Sequence, residues 1–301
     1  MTMPGTHDPT AAARRRLQGT AYLLVTAVGW AVNWPAMKLL LQAWPPMFSR
    51  GLAGVAAAIG LAVLAAMQGH RLMPPRKVMP RLALAAFTNV FAWMGFSTLA
   101  LNWVNVAEGV LLVYTMPIWV TLLVWPLRGV RPTASGFAAL LLGLAGVMVL
   151  LGAQGFSVTG GQALGIGFAL AAAVLFALGT ILNGAPLPLQ PLVSTAWQVG
   201  LGCLPMLVFG IVFEHPRLDA LNPWQFASLI YMALIPMAIC YLTWFAALQR
   251  LPASVAATGM LLVPLLGVLS AAVMLGEPIG AREVISMLLT LSGVALVLRR
   301  P

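Results

Sequence analysis

An all-α integral membrane protein of ten transmembrane helices, built as two inverted five-helix repeats, is the fold class that three features of the sequence predict. The first is composition. Of 301 residues, 61% are hydrophobic and 7% charged, with a mean hydropathy of +0.97. A soluble domain carries roughly 25% charged residues, so this chain lacks the polar groups to cover a water-facing surface and belongs in a bilayer. The second is an internal repeat. Displaced by 147 positions, Ala92 to Leu151 overlies Ile239 to Leu298: Ala100-Leu101 meets Ala247-Leu248, Pro117 meets Pro264, Gly129 meets Gly276, and Gly146-Val147 meets Gly293-Val294. Self-similarity on this scale marks two related halves. The third is the placement of the basic residues relative to the spans.

Taken in order, Met1 to Ala13 is polar, carries Pro4, Gly5 and Pro9, and is expected to be disordered. With Arg14-Arg15-Arg16 it makes a cytoplasmic tail over residues 1–16. The apolar run from Leu17 to Leu41 is too long for a signal-peptide core and reads as a retained first span. Spans follow at about 17–41, 46–67, 80–101, 106–127 and 133–152, then 162–183, 190–213, 222–247, 253–275 and 280–298. The first repeat is thus 17–152 and the second 153–301. Pro45-Pro46, Pro74-Pro75, Pro132, Gly160-Gly161, Pro186, Pro188, Pro216, Pro223, Pro252 and Pro278 punctuate the junctions. Between the third and fourth spans, Asn102 to Asn105 is nearly all the turn there is.

With the N-terminus inside, that side collects Arg14, Arg15, Arg16, Arg71, Arg76, Lys77, Arg81, Arg128, Arg131, Arg250, Arg299 and Arg300. The other side holds Lys38, Arg50, Arg217 and Arg282. This asymmetry follows the positive-inside rule and puts both termini in the cytoplasm. The net charge of +10 is therefore a matter of topology and not the footprint of a nucleic-acid partner. Five spans per repeat is an odd number, so the second repeat enters the membrane from the opposite side. Inverted repeats of this kind are typical of secondary transporters, with the substrate near the midplane between the halves and alternating access as the mechanism.

What is missing narrows the reading. No GxxxxGK[ST] loop offers a phosphate cradle, so ATP is not expected. His7, His70, His215, Asp8 and Asp219 fall in the tail or in loops, and Cys203 and Cys240 sit in apolar runs without CxxC spacing. The chain is expected to hold no metal and no cofactor and to be no enzyme.

Candidate site residues are those that cost most to place in lipid. Pro117 and Pro264 occupy equivalent mid-span positions, and each removes a backbone donor; paired interruptions point to a gating or kink role. Asn89 and Trp93 share a helical face of the third span, with Phe96 one turn on. Trp30, Asn33, Trp34 and Met37 share one side of the first, and Tyr114 of the fourth and Tyr241 and Trp244 of the eighth add aromatic groups. A cavity lined by Trp30, Asn33, Trp34, Asn89, Trp93, Tyr114, Tyr241 and Trp244 suits a flat apolar side chain, with amides for the polar end. Trp44, Trp103, Trp125 and Trp224 read instead as an interfacial belt. Lys38 and Arg50, at outer span ends, are expected to snorkel to the surface. Glu108, in the first turn of the fourth span, is the embedded acid of the first repeat and the candidate for proton coupling. Gly54 with Ala58 and Ala139 with Gly143 give faces for close helix packing. The fifth and tenth spans read as scaffold or dimer surface, in a monomer or a homodimer.

These residues resemble the drug/metabolite transporter superfamily, in particular its ten-helix proteins with two EamA domains. The likeness rests on Gly29-Trp30, Asn33 and Lys38 in GWAVNWPAMKLL and on Arg50 in FSRGLAGVAAA. It rests further on the Ala-Leu pair, the mid-helix proline and the LSGVALVL-like closing helix of each half, and on the Gly276-Glu277-Pro278 turn. The first half has Gly129-Val130-Arg131 at that turn and lacks the glutamate. The resemblance implies a bacterial inner-membrane exporter and lies nearest the YddG-type aromatic amino-acid exporters, whose substrates are amino acids with large apolar or aromatic side chains and related metabolites. A multidrug exporter of lipophilic cations is a second reading, against which the scarcity of acids in the spans argues. A non-transporting scaffold or receptor would leave the inverted repeat unexplained.

Overall fold

The computed structural model describes residues 9–129, 131, 134–152, 160–184, 187–217, 219–252, 255–256 and 259–298. Residues 1–8 of the expected tail, with His7 and Asp8, lie outside these, as do Pro132, Pro186, Arg299 and Arg300. Every regular element among the described residues is helical. In chain order they are α1 (Pro9–Leu40), α2 (Pro46–Met67), α3 (Arg76–Ala100), α4 (Val106–Arg128), α5 (Ala134–Gly152), α6 (Gly160–Asn183), α7 (Pro191–Glu214), α8 (Pro223–Leu248), α9 (Leu262–Leu275) and α10 (Ala281–Leu298). Seven of them, α1 to α4 and α6 to α8, are long and apolar enough to cross a membrane; Gly136–Val149 within α5, and α9, are shorter apolar helices. Large apolar side chains such as Ile59, Val63, Ile211, Phe213, Val273 and Leu288 point outward. Apolar exposure on this scale fits lipid as the surrounding solvent. The chain is a multi-pass membrane protein.

Local chemistry sets the helix ends. Disorder was the expectation for Met1 to Ala13, but α1 already begins at Pro9. Proline is tolerated in a first turn, and the alanines that follow are strong helix formers. Pro46 opens α2, which closes at Gly69, φ +75°, with His70 N–H donating to Ala65 O at 3.0 Å and Gly69 N–H to Ala66 O at 2.9 Å. These two bonds satisfy carbonyls that the helix end would otherwise leave orphaned. The repeat-matched glycines Gly129 and Gly276 do the same work for α4 and α9, at φ 71° and 69°. The short turn between α3 and α4 ends at Asn105, whose side chain accepts from Glu108 N–H at 2.8 Å while Glu108 Oε2 accepts from Asn105 N–H at 3.2 Å. That reciprocal pair is a capping box.

Packing obeys the repeat. α1 lies against α8 and α9, and its counterpart α6 lies against α3 and α4. α2 pairs with its own counterpart α7, and α5 with α10. Both of these pairs run antiparallel. Along α2, Phe48, Gly51, Gly54 and Ala58 face Gly210, Leu207, Cys203 and Gly200 in turn, and Gly143 and Gly146 of α5 face Gly293 and Thr290 of α10. A Cβ on Gly51 would overlap the backbone of Leu207, so α2 and α7 approach as closely as glycine allows. The matched helices of the two halves therefore point in opposite directions.

The helices that meet at the centre are interrupted. α3 is a π-helix over Ala86–Gly95 and α8 is one over Ile235–Ile239, which the repeat shift places on 88–92 of α3. Pro236 therefore lies in the structural counterpart of the Asn89 turn, although the first half has no proline there. α4 breaks at Tyr114 and Thr115, just before Pro117, and the chain before α9 turns at Met260 and Leu261, just before Pro264. Each proline withholds the N–H that would have continued the helix across its break.

Candidate functional site

Between the halves lies a cavity of about 680 Å³, within the roughly 300–1,000 Å³ typical of small-molecule sites. All eight residues read from the sequence as cavity-lining, Trp30, Asn33, Trp34, Asn89, Trp93, Tyr114, Tyr241 and Trp244, lie on its wall. The interruptions explain how they reach it. The π segments turn Asn89, Trp93 and Pro236 onto the wall, and the break in α4 sits at Tyr114 itself. π segments inserted in α-helices recur at functional sites for this reason. Pro117 and Pro264 stand behind the breaks and do not line the cavity.

The aromatic rings form two groups. Trp30 packs edge-on to Tyr241 at 5.7 Å between centroids and lies 6.1 Å from Trp244. Across from them Trp93 meets Tyr114 at 6.0 Å and Phe176 at 4.8 Å, and Trp34 meets Tyr114 at 6.4 Å. Trp30 Nε1 donates to Pro236 O at 2.9 Å, so the carbonyl in the π segment of α8 is satisfied by α1. Amides supply the polar wall: Asn89 Nδ2 donates to Gln198 Oε1 at 3.4 Å, and Gln198 Nε2 to Ser194 Oγ at 3.0 Å. The cavity runs on past Asn183 to Gly184, Leu187 and Leu189 of the turn between α6 and α7, and its mouth is there.

Arg50 departs from its sequence reading. It does not snorkel: it is 4% exposed, lines the cavity, and donates from Nη1 to Asn33 Oδ1 at 3.3 Å, while its buried Nε has no partner among the described residues. Lys38 also turns inward, donating to the carbonyls of Leu101 and Val104 (2.9 Å to the latter), where it closes the C-terminal end of α3. Trp44, expected in the interfacial belt, is buried and donates from Nε1 to Arg217 O at 2.8 Å. Sequence reasoning also missed the polar face of α7, Ser194 and Gln198, and Phe176 of α6. The i, i+4 spacing of Ser194 and Gln198 in an apolar run was the signal available.

The end of the bundle opposite the mouth is sealed. Its packing centres on Met37, Leu40, Leu101, Val110, Leu111 and Leu112, with Ala169 and Ala172 of α6. Four carboxylates, Glu277, Glu214, Glu108 and Glu283, lie at this end and cap helix N-termini, Glu283 accepting from Gly280 N–H at 2.9 Å at the start of α10. Glu277 accepts from Val106 N–H at 3.0 Å and Ala107 N–H at 3.4 Å, tying the second half to the start of α4. Glu214 accepts from Met47 N–H at 3.2 Å and Phe48 N–H at 2.8 Å, tying α7 to α2. Glu108, in its capping box, lies 3.8 Å from Arg282 and does not line the cavity. At the mouth end, cations hold helix C-termini: Arg81 donates to Asn183 O at 2.7 Å, Arg128 to Ile181 O at 2.9 Å, and Arg15 to Gln249 O at 2.8 Å. Both patterns complement the helix dipoles.

A two-part helical bundle in a membrane, with one aromatic and amide-lined cavity between antiparallel halves, is the build of a solute carrier. The EamA-like transporter family matches the chain twice, over residues 17–152 and 163–299, and the chain belongs to that family. It is similar to a "Probable terminal-alkyne amino-acid exporter" of Streptantibioticus cattleyicolor, 28% identical over 92% of each chain. It is likewise similar to a "Probable amino-acid metabolite efflux pump" of Salmonella typhimurium, 27% identical over 93% of this chain and 94% of the relative. YvbV of Bacillus subtilis, an "Uncharacterized transporter", is 26% identical over 92% of this chain and 91% of its own. A solved crystal structure covers 92% of this chain and 96% of its own with a TM-score of 0.63 at 22% identity, and shares the fold. The protein is a membrane transporter.

Proposed function

We propose that this transporter exports amino acids with aromatic or large apolar side chains, and related metabolites, across the bacterial inner membrane by alternating access. The observation that carries the reading is the composition of the central cavity. Six Trp and Tyr rings from α1, α3, α4 and α8 surround it, amides provide directional polar contacts, and no carboxylate lines it among the described residues. Large rings offer an apolar side chain wide, rigid contact at little entropic cost. The relatives named for amino-acid export support the same class. The lipophilic-cation reading is disfavoured by Arg50, which places a fixed positive charge in the wall with no acid among the described lining residues to offset it.

In this reading ten spans form two inverted repeats, 17–152 and 153–301, with both termini on the cytoplasmic side, where the basic residues gather. The cavity then opens inward, and the seal of Glu277 and Glu214 closes the outer face. Pro117 and Pro264 mark the hinges. Glu108 lies outside the cavity and in a capping box, which favours an uncoupled carrier over a proton exchanger.

The test is uptake of labelled phenylalanine and tryptophan into proteoliposomes, with and without an imposed pH gradient, for the native chain and Trp93→Ala. Saturable uptake that ignores the gradient and weakens severalfold in Trp93→Ala is expected. Absence of uptake for every amino acid would overturn the substrate assignment.

A further inference from the structure

We propose that Arg50 is the carboxylate anchor of the cavity, binding the α-carboxylate of the transported amino acid through its guanidinium, so that a free carboxylate is required of every substrate. The proposal rests on the reading that this cavity carries amino acids, and it narrows the substrate class to carboxylates.

Several observations converge on it. Arg50 is the only charged side chain among the described residues that lines the cavity. It is 4% exposed, and a guanidinium cannot shed its proton to escape burial. Among the described residues its protein hydrogen bond is the single one from Nη1 to Asn33 Oδ1 at 3.3 Å, a neutral dipole and not a counter-ion. Nε is buried without a partner, and most of the five donors remain unused. A charge held this way is uncompensated, and uncompensated buried charges are costly, so the protein retains Arg50 against a standing penalty. A carboxylate entering the cavity supplies both the missing charge and the two-oxygen geometry that fits a guanidinium fork. Asn33, on α1 next to Trp34, accepts from the fork, and the rings of Trp34, Trp93 and Tyr114 line the same cavity to receive the side chain.

The experiment compares phenylalanine, its methyl ester, phenethylamine and 3-phenylpropionate as inhibitors of labelled phenylalanine uptake in proteoliposomes of the full chain, native, Arg50→Gln and Arg50→Lys. In the native protein the ester and the amine are expected to inhibit about tenfold or more weakly than phenylalanine, the loss of one charge-assisted bond. Arg50→Gln is expected to raise the half-saturating phenylalanine concentration about tenfold or more and to stop distinguishing acid from ester, with Arg50→Lys between them because it keeps the charge and loses the fork. Native protein inhibited equally by acid and ester, or Arg50→Gln that still prefers the acid, would overturn the proposal.

Since substitution of a buried arginine can cost folding, the melting temperature of the native protein in detergent is read alongside. Phenylalanine and 3-phenylpropionate are expected to raise it and phenethylamine to leave it unchanged; an equal rise with the amine would overturn the anchor. The two readings fail separately. A native protein that takes up no amino acid but is stabilised by 3-phenylpropionate alone loses the amino-acid assignment and keeps Arg50 as a carboxylate site. Uptake of phenylalanine and its ester alike does the reverse.

Discussion

Replacing Glu277 by glutamine is expected to loosen the sealed end and shift the carrier toward the state open on that side. Both carboxylate oxygens of Glu277 lie 3.0 Å from Val106 N, and Oε2 also reaches Ala107 N at 3.4 Å, so one side chain of the second half holds two first-turn donors of α4. Glutamine keeps one acceptor oxygen and loses the charge. A hydrogen bond to a charged group is worth roughly 1.5–3 kcal/mol against roughly 0.5–1.5 for a neutral one. The carboxylate's interaction with the helix dipole adds about 0.3–1 kcal/mol. The closed end is thus weakened by about 1–2 kcal/mol, which moves a two-state equilibrium about 5–30-fold.

Ser97, buried on the cavity wall in the last turn of α3, reports the change when replaced by cysteine. Cys203 and Cys240 are fully buried and contribute little background. A membrane-impermeant maleimide applied to the sealed side is expected to label Ser97→Cys about 5–30-fold faster in Glu277→Gln, in proportion to that shift. An unchanged labelling rate, even with a lower melting temperature, would refute the reasoning, because Glu277 would then be a helix cap and not a latch.

Two further outcomes follow from the packing. Gly51→Ala is expected to lose about 1–3 kcal/mol of stability, because its Cβ meets the backbone of Leu207, which cannot rotate aside; Gly60→Ala, with open space around it, is expected to gain about 0.5–1 kcal/mol of helix propensity. Thermal melting in detergent compares the pair, and equal shifts would contradict the close α2–α7 approach. Glu108→Gln keeps the capping box, since glutamine accepts as glutamate does, and is expected to leave uptake both intact and indifferent to an imposed pH gradient. Gradient-driven uptake that vanishes in Glu108→Gln would restore a coupling role for this residue.

The repeat and the aromatic face were legible because each leaves a trace in one dimension. Gly129 and Gly276 match in sequence since both must adopt a left-handed backbone at a helix end, and Pro117 and Pro264 match since each follows a two-residue turn at the start of a helix. Trp93 and Asn89 stood out as a large ring and an amide in an apolar run, four residues apart. Arg50 and Lys38 were not legible in the same way. A long charged side chain at a span end reaches either water or the interior, and which it reaches depends on what the neighbouring helices present: Asn33 and the cavity for Arg50, two carbonyls of the α3–α4 turn for Lys38. The pairing of the π segments was hidden for a related reason. Pro236 of α8 corresponds to Asn89 of α3, and the two segments share a backbone geometry that their sequences do not share.

The latch residues themselves break the repeat, and that has an energetic consequence. Glu277 falls opposite Val130 in the shifted alignment, Glu108 opposite Val255, and Glu214 opposite Met67. A perfectly repeated sequence would give the two ends equal means of closing, and exchange of the halves would cost nothing. Here the carboxylates that tie α4 to the second half and α2 to α7 have no counterparts able to make the mirrored bonds at the mouth. At that end the polar contacts run from arginines to helix C-termini, and Arg81 and Arg128 of the first half each hold a carbonyl near the end of α6. On the proposed alternating-access reading, the seal holds charge-assisted bonds whose donors have no repeat-matched acid at the other end, a bias of the empty carrier toward the state open at the basic end. A carrier biased in this way collects its cargo from the side the mouth faces. On the proposed topology, which puts the basic residues in the cytoplasm, that is the direction an exporter requires.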